Sequence, residues 1–180
     1  LNRALNKANS LLHEASITDT LTHLNNRGHF IVRATAALET CRQQRQRFTL
    51  AMIDVDHFKP INDREGHMFG DHCLVHLAGI LNTHFQRAGD LVARYGGEEF
   101  IAHIAGGESD GIRTFLEELR LKVRETPAQD GKRAYGLTVS IGFHSAVPQS
   151  EETLEDFIRH ADNRLYEAKR SGRDCVAGNL

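Results

Sequence analysis

Gly96 and Gly97 separate two short runs of strand-like residues, Leu91–Tyr95 and Glu99–Ile104. Paired glycines between such runs indicate a tight β-hairpin, because glycine adopts the positive φ angles that hairpin turns require. The two strands of a hairpin are antiparallel neighbours, so part of the sheet must be antiparallel. This feature favours a mixed fold over a purely parallel sheet.

Helical and strand-like patterns alternate along the rest of the chain. Phe48–Asp54 and Tyr135–His144 are rich in apolar or β-branched residues and predict two more strands. Apolar residues at helical spacing predict helices over Phe30–Arg45, Asp71–Phe85, 109–125 and 154–168. Further expectations are a helix start at Asp19 or Thr20, a broken helix or irregular stretch over His57–Gly70, and a closing strand over Asp174–Ala177. This order predicts an α+β sheet covered by helices.

Charge and composition limit the class of partner. The 180 residues include 22 Lys and Arg against 24 Asp and Glu, a net charge of −2. Proteins that depend on nonspecific phosphate contacts are usually basic, so we expect no nucleic acid polymer and no membrane contact from this fragment. The chain has three cysteines, no CxxC motif and no apolar stretch near 18 residues. Reduced thiols and a cytoplasmic location are expected, within what could be a larger, membrane-attached protein.

The first 16 residues carry a heptad-like pattern. Its apolar positions, spaced by four and three residues, are Leu1, Leu5, Ala8, Leu12 and Ala15. Two heptads are marginal alone, so two interpretations stay open: a helix packed on its own domain, or the end of a dimerising coiled coil. We expect a helical connector over 1–16 and one domain over 17–180. Because the chain begins at Leu1, we also expect it to be a piece of a longer protein.

Two acidic motifs are candidates for metal binding. Asp54 and Asp56 end a hydrophobic strand, where side chains at i and i+2 point to the same side. Hard cations such as Mg²⁺ prefer these oxygen ligands and leave room for phosphates. Glu98 and Glu99 follow the glycine pair, whose backbone N–H groups can approach a phosphate closely. The plainer interpretations are a solvated strand end and an acidic hairpin tip.

Other polar residues are candidates for nucleotide binding. Asn62 and Asp71, with His67 between them, offer acceptors that match the donor edge of guanine. Lys169 and Arg173 follow the last predicted helix and could neutralise phosphates. Loop polarity, a helix cap by Asp71 and cations near a helix C-terminus are the plainer interpretations.

Taken together, these strings resemble the GGDEF family of diguanylate cyclases over about residues 17–177. In chain order they are Asp19–Arg27 (DTLTHLNNR), Asp54–Asp63 (DVDHFKPIND), Gly66-His67, Gly70-Asp71, Arg94–Phe100 (RYGGEEF), Ala168-Lys169 and Gly172-Arg173. Two departures are visible: His23 stands where glycine is common, and Asp174 stands where asparagine usually follows Gly-Arg. GGEEF in place of GGDEF is an accepted variant within the family, and it keeps the carboxylate.

The resemblance implies a fold, a reaction and a role for each matched residue. The fold would be a mainly antiparallel sheet flanked by helices, similar to the palm of nucleotide cyclases and polymerases. The reaction would join two GTP into cyclic di-GMP and release two pyrophosphates, within a homodimer whose domains each hold one GTP. Asp54, Glu98 and the Val55 carbonyl would hold Mg²⁺, or Mn²⁺, and Glu99 would be a candidate general base. The expected substrate-binding residues are Phe58, Lys59, Asn62, His67, Asp71, Gly96, Gly97, Lys169 and Arg173.

A short motif upstream of the hairpin adds an expected regulatory site. Arg87 and Asp90 form an RxxD pattern, with five residues between Asp90 and Gly96. This placement matches the family's inhibitory site, where cyclic di-GMP binds as product and allosteric ligand. Two alternatives stay open: a non-catalytic receptor for GTP or cyclic di-GMP that regulates a partner, and a synthase of another dinucleotide. Retention of Asp54 and Glu98 favours catalysis, and Asp71 favours guanine over adenine.

Overall fold

Seven strands lie within residues 17–107, 109–131 and 133–179, the residues that the computed structural model describes. In chain order they are β1 (Phe48–Val55), β2 (Leu91–Gly96), β3 (Glu99–Ile104), β4 (Ala128–Asp130), β5 (Arg133–Tyr135), β6 (Val139–Ala146) and β7 (Val176–Asn179). Five of them form the central sheet in the order β2-β3-β1-β6-β7. All its neighbours are antiparallel except β6 and β7, and β4 and β5 form a separate ribbon. The mainly antiparallel sheet expected from the sequence is confirmed.

Helices cover both faces of the sheet. In the described part of the chain they are α1 (Arg27–Gln44), α2 (Phe58–Glu65), α3 (His67–His84), α4 (Ser109–Glu125) and α5 (Leu154–Arg170). Strand β1 lies at the centre and is buried along its whole length, so its alternating side chains enter two cores. Leu50 and Met52 pack with α1 and α5, whereas Ala51 and Ile53 pack with α3 and α4. The fold class predicted from the sequence is therefore confirmed.

Two local predictions differ from the structure, and the structure decides between the alternatives of a third. No helix starts at Asp19 or Thr20; Asp19 Oδ1 instead accepts hydrogen bonds from the backbone N–H and hydroxyl of Thr22 and closes a turn. Of the two alternatives predicted for His57–Gly70, the broken helix is confirmed and the irregular stretch is not, because α2 and the start of α3 are separated by Gly66 at φ 88°. The strand predicted over Tyr135–His144 is β6, which begins at Val139, whereas Tyr135 is the last residue of β5.

The turn over residues 18–25, here called the N-terminal turn, covers the outer edge of β2. The backbone carbonyl of Asn25 accepts a hydrogen bond from the Arg94 N–H at 3.0 Å, and the Asn25 amide donates to the Val92 carbonyl at 2.9 Å. His23 adopts φ 58°, which explains why glycine is common at this position. Pairing the edge in this way shields strand β2 from other chains.

Residues 1–16 lie outside the described residues. The heptad-like connector and the domain boundary at residue 17 therefore stay predictions. Within the described residues, no helix combines the length and the hydropathy needed to cross a membrane.

Candidate active site

Three carboxylates gather where β1 and the β2–β3 hairpin end. The register of β1 against β3 puts Asp54 directly opposite Glu99, and the Val55 N–H donates to the Glu98 carbonyl at 3.3 Å. Directly opposite residues of an antiparallel pair share one face of the sheet. Asp54 and Glu99 therefore point to the face that α5 covers, and Glu98 lies on the adjoining turn. The sequence predicted that these residues meet, and the strand register brings them together.

Lys169 at the end of α5 neutralises part of this acidic cluster. Its Nζ lies 2.8 Å from Asp54 Oδ2, and Asp54 is only 5% exposed. Burial raises the pKa of Asp54 to about 6; the Lys169 charge opposes the rise, and Glu98 and Glu99 add to it. Burial also raises the pKa of Glu99. The cluster thus has more negative charge than one lysine balances, which favours a further cation.

The donors at this cluster are all oxygens, as magnesium and manganese prefer. Among the described residues, no three His, Cys, Asp or Glu side chains are arranged to hold a metal ion by themselves. An ion here would therefore take ligands from Asp54 and Glu98, the Val55 carbonyl and the oxygens of a bound phosphate. Mg²⁺ is commonly held in this way, by one or two carboxylates together with substrate phosphates.

Asp56 has a different role from its neighbour Asp54. Its side chain is buried and accepts hydrogen bonds from the hydroxyls of Thr138 and Ser140, at 2.8 and 2.7 Å. It also accepts the Asp174 N–H at 3.0 Å. The interpretation of the DxD motif as a solvated strand end is therefore wrong, because both carboxylates are buried. Asp56 instead fixes the loop that follows α5, which includes Arg173.

The residues expected to read a guanine base lie on α2 and α3. Asn62 Oδ1 is buried and has no hydrogen-bond partner within the described residues. Gly70 makes room for it, since a Cβ at Gly70 would lie 1.9 Å from that oxygen. An unpaired buried acceptor is costly, and a base N–H donor would satisfy it. Phe58 is largely buried beside this site, while His67 and Asp71 are exposed.

The remaining expected substrate contacts are open to solvent. Lys59 and Arg173 are exposed, and Arg173 adopts φ 65° in the loop after α5. A Cβ built on Gly96 or Gly97 would meet nothing within 4 Å, so the turn borders open space. This arrangement leaves room for phosphates beside the turn. Lys169 is predicted to bind a phosphate. In the structure its ammonium group is instead paired with Asp54.

Arg94 is a site residue to which the sequence motifs assign no role, although it is the first residue of the string RYGGEEF. Its guanidinium donates to the Gly97 carbonyl at 2.8 and 3.0 Å, and Arg94 Nη1 lies 3.3 Å from Asp19 Oδ1. One side chain thus links the N-terminal turn to the acidic hairpin. The only signal in the sequence is the position of Arg94 two residues before Gly96.

Arg87 and Asp90 lie away from the acidic cluster, in the connection between α3 and β2. The two oxygens of Asp90 accept the backbone N–H groups of Arg87 and Ala105, at 3.1 and 2.9 Å. The Arg87 guanidinium lies over the Phe115 ring, 4.4 Å from its centroid. Asp90 therefore stabilises its own loop, while the Arg87 side chain lies on the side of α4.

Comparisons with known proteins agree on one family. The family model described as "Diguanylate cyclase, GGDEF domain" matches residues 16–175. Diguanylate cyclase A of Treponema denticola is 36% identical over 93% of this chain, and the response regulator PleD of Caulobacter vibrioides is 34% identical over 94%. This chain spans 46% and 38% of the lengths of those two proteins, so it corresponds to less than half of each.

A solved structure gives the same result for the fold. It contains the coiled coil and GGDEF domain of DgcB from Caulobacter crescentus in complex with c-di-GMP. The TM-score is 0.90 at 28% identity, and the match covers 98% of this chain and 93% of that chain. The resemblance inferred from the strings around Asp54 and Gly96 is thereby confirmed. The chain belongs to the GGDEF-domain family of diguanylate cyclases.

Proposed function

We propose that this domain condenses two GTP molecules into cyclic di-GMP and releases two pyrophosphates. The observation that carries the proposal is the acidic cluster of Asp54, Glu98 and Glu99, held with a single lysine beside an open glycine turn. A receptor without turnover would not need this cluster. Relatives named diguanylate cyclases support the same assignment.

Asp54, Glu98 and the Val55 carbonyl would hold the cation, Mg²⁺ or Mn²⁺. When bound, it would polarise the α-phosphate and lower the pKa of the attacking 3′-hydroxyl. Lys169 is close enough to exchange its contact with Asp54 for one with a phosphate, and Arg173 is exposed for the same purpose. The Glu99 carboxylate, whose pKa is raised by burial, would accept the hydroxyl proton.

The guanine base would lie against α2 and α3. Asn62 Oδ1 would accept a hydrogen bond from the base, which supplies the partner that this buried oxygen lacks among the described residues. Asp71 and His67 would bind from the exposed side, with Phe58 and Lys59 beside the base and the phosphates. Each domain then holds one GTP, so two domains must face each other. A coiled coil over 1–16 would raise the effective concentration of the second half-site.

Product inhibition through Arg87 and Asp90 is the regulatory part of the proposal. Support comes from the RxxD spacing before the hairpin and from the stable loop that Asp90 makes with the Arg87 and Ala105 N–H groups. Arg87→Ala should leave the initial rate unchanged and weaken inhibition by added cyclic di-GMP at least about tenfold, because a forked guanidinium contact is lost. Equal inhibition of the variant and the parent would remove this part of the proposal.

The catalytic part is tested by incubating the domain with GTP and Mg²⁺ and separating the nucleotides by chromatography. Glu98→Ala should lower cyclic di-GMP formation at least about 100-fold, because it removes a metal ligand. Glu151→Gln, on an exposed turn, is the matched control and should keep the parent rate. If the parent binds GTP but forms no product, also when fused to a stable coiled coil, the receptor interpretation replaces this one.

A further inference from the structure

A cavity of about 820 Å³ lies outside the proposed active site. One wall is the C-terminal half of α1, with Ala37, Thr40 and Cys41, and the opposite wall is the connection from β3 to α4, with Ala105, Gly106 and Gly107. Gln46, Arg47, Gly89 and His103 complete the lining. Its volume lies within the range of small-molecule sites in proteins.

His103 supplies a buried polar group to this cavity. It is 3% exposed, and its ring stacks on Phe48 with centroids 4.3 Å apart. His103 Nδ1 lies 2.9 Å from the Thr49 carbonyl oxygen, which can only accept, so Nδ1 carries the proton. Burial lowers the pKa of His103, which keeps the ring neutral and makes Nε2 an acceptor. Within the described residues, no hydrogen-bond partner is found for Nε2.

The other lining groups restrict the chemistry of an occupant. Side chains at the walls are mostly small, with two alanines, a cysteine and three glycines. The Thr40 hydroxyl already donates to the Ala36 carbonyl, and Arg47 Nη1 already donates to the Ser145 carbonyl. The Thr40 hydroxyl and the Gln46 amide can also accept, but both residues are exposed, so Nε2 of His103 is the buried side-chain acceptor of the lining. The fixed charges nearby, Arg47 and Asp90, have opposite signs and favour neither an anion nor a cation.

We propose that this cavity binds a small uncharged molecule with an apolar body that donates one N–H or O–H hydrogen bond to Nε2 of His103. The site is separate from the acidic cluster, because His103 lies four residues along β3 from Glu99, about 13 Å away. It also adjoins the loop of Arg87 and Asp90, since Ala105 lines the cavity and donates its N–H to Asp90.

Indole is a suitable probe, because it is flat, uncharged and has a single N–H donor. Binding is measured as protection of Cys41 from alkylation, with modified peptides quantified by mass spectrometry. Cys175, which lies outside the cavity lining, is the internal control. Indole should protect Cys41 with a dissociation constant on the order of 1 mM and leave Cys175 unprotected. Benzofuran, which replaces the N–H with an oxygen acceptor, should bind about five- to tenfold more weakly.

Two variants complete the test. Ala37→Leu fills part of the cavity and should abolish protection by indole, whereas Ala36→Leu, on the exposed side of α1, should keep it. His103→Phe keeps a ring that can stack on Phe48 but removes the acceptor. Its affinity for indole should therefore fall to the affinity that the parent has for benzofuran. Equal affinities of the parent for indole and benzofuran would overturn the role of His103. Absence of Cys41 protection, or unchanged protection in Ala37→Leu, would overturn the site.

Discussion

Arg94 lies 75 positions from Asp19 in the sequence and connects two distant segments. Its guanidinium contacts both Asp19 in the N-terminal turn and the Gly97 carbonyl in the acidic hairpin. Partial burial alone raises the pKa of Asp19, but hydrogen bonds from Thr22 and the Arg94 charge bring it below its ordinary value. The segment that follows the connector is thus tied directly to the hairpin that carries Glu98.

Removing this link should lower both stability and activity. Arg94→Ala should decrease the free energy of unfolding by about 1–2 kcal/mol, because a partly buried contact with Asp19 and an exposed one with the Gly97 carbonyl are lost, both charge-assisted. Cyclic di-GMP formation should also fall, since the Gly97 turn loses its support. Arg94→Lys should restore little, because an ammonium cannot reproduce the fork. Urea denaturation and initial rates measure both effects; Arg164→Ala, an exposed i,i+3 partner of Glu167, should change stability by less than about 0.5 kcal/mol.

The pH dependence of the Asp19 contact has a defined sign. A carboxylate whose pKa is lowered in the native state stabilises the fold above its unfolded pKa, and this contribution is lost as the pH falls through the native pKa. The stability difference between the parent and Asp19→Asn should therefore be constant from pH 7 to about pH 5 and shrink below about pH 4. A difference that grows on acidification would contradict this assignment.

Among the elements, α5 and β6 approach each other most closely at Gly142. A Cβ added there would lie 2.0 Å from the Leu165 backbone N and 2.4 Å from the Ala161 carbonyl oxygen. Neither backbone atom can move without displacing α5, which carries Lys169 to Asp54. Gly142→Ala should therefore destabilise the domain by at least about 3 kcal/mol or prevent folding.

Gly79 provides the matched control for that substitution. It lies on the exposed side of α3, and a Cβ there meets nothing within 4 Å. Gly79→Ala should stabilise the domain by up to about 1 kcal/mol, because alanine favours the helix. Thermal denaturation of both variants measures the contrast; similar effects of the two substitutions would contradict the close packing of α5 on β6.

Local sequence patterns predicted the elements that have a clear period or turn signal. The β2–β3 hairpin and the amphipathic α4 and α5 followed from glycine placement and apolar spacing. The stretch over His57–Gly70 has few apolar residues, so its division into α2 and α3 at Gly66 could not be assigned from periodicity. Likewise, the sequence at Asp19 fits either a turn or the start of a helix. In both structures an aspartate oxygen accepts a hydrogen bond from a backbone N–H two or three residues later.

At the scale of the whole molecule, the strand register brings the candidate site together. The motifs identified Asp54, Glu98 and Asn62, but the pairing of Lys169 with Asp54 joins residues 115 positions apart. The role of Arg94 and the cavity at His103 also depend on contacts between distant segments, so local sequence patterns cannot predict them. The DxD motif does not distinguish the roles of its two aspartates. Asp54 is a candidate metal ligand, whereas Asp56 holds the loop after α5 through hydrogen bonds.

The arrangement of Asp54, Glu98 and Glu99 beside the glycine turn is proposed to convert GTP into a cyclic dinucleotide. The most direct measurement is the amount of pyrophosphate and of each nucleotide formed from GTP and Mg²⁺ in one sample, followed over time. We predict two pyrophosphates for each cyclic di-GMP, with formation of both products lowered at least about 100-fold in Glu98→Ala. Bound GTP without release of pyrophosphate, or pyrophosphate without cyclic di-GMP, would contradict the proposed reaction.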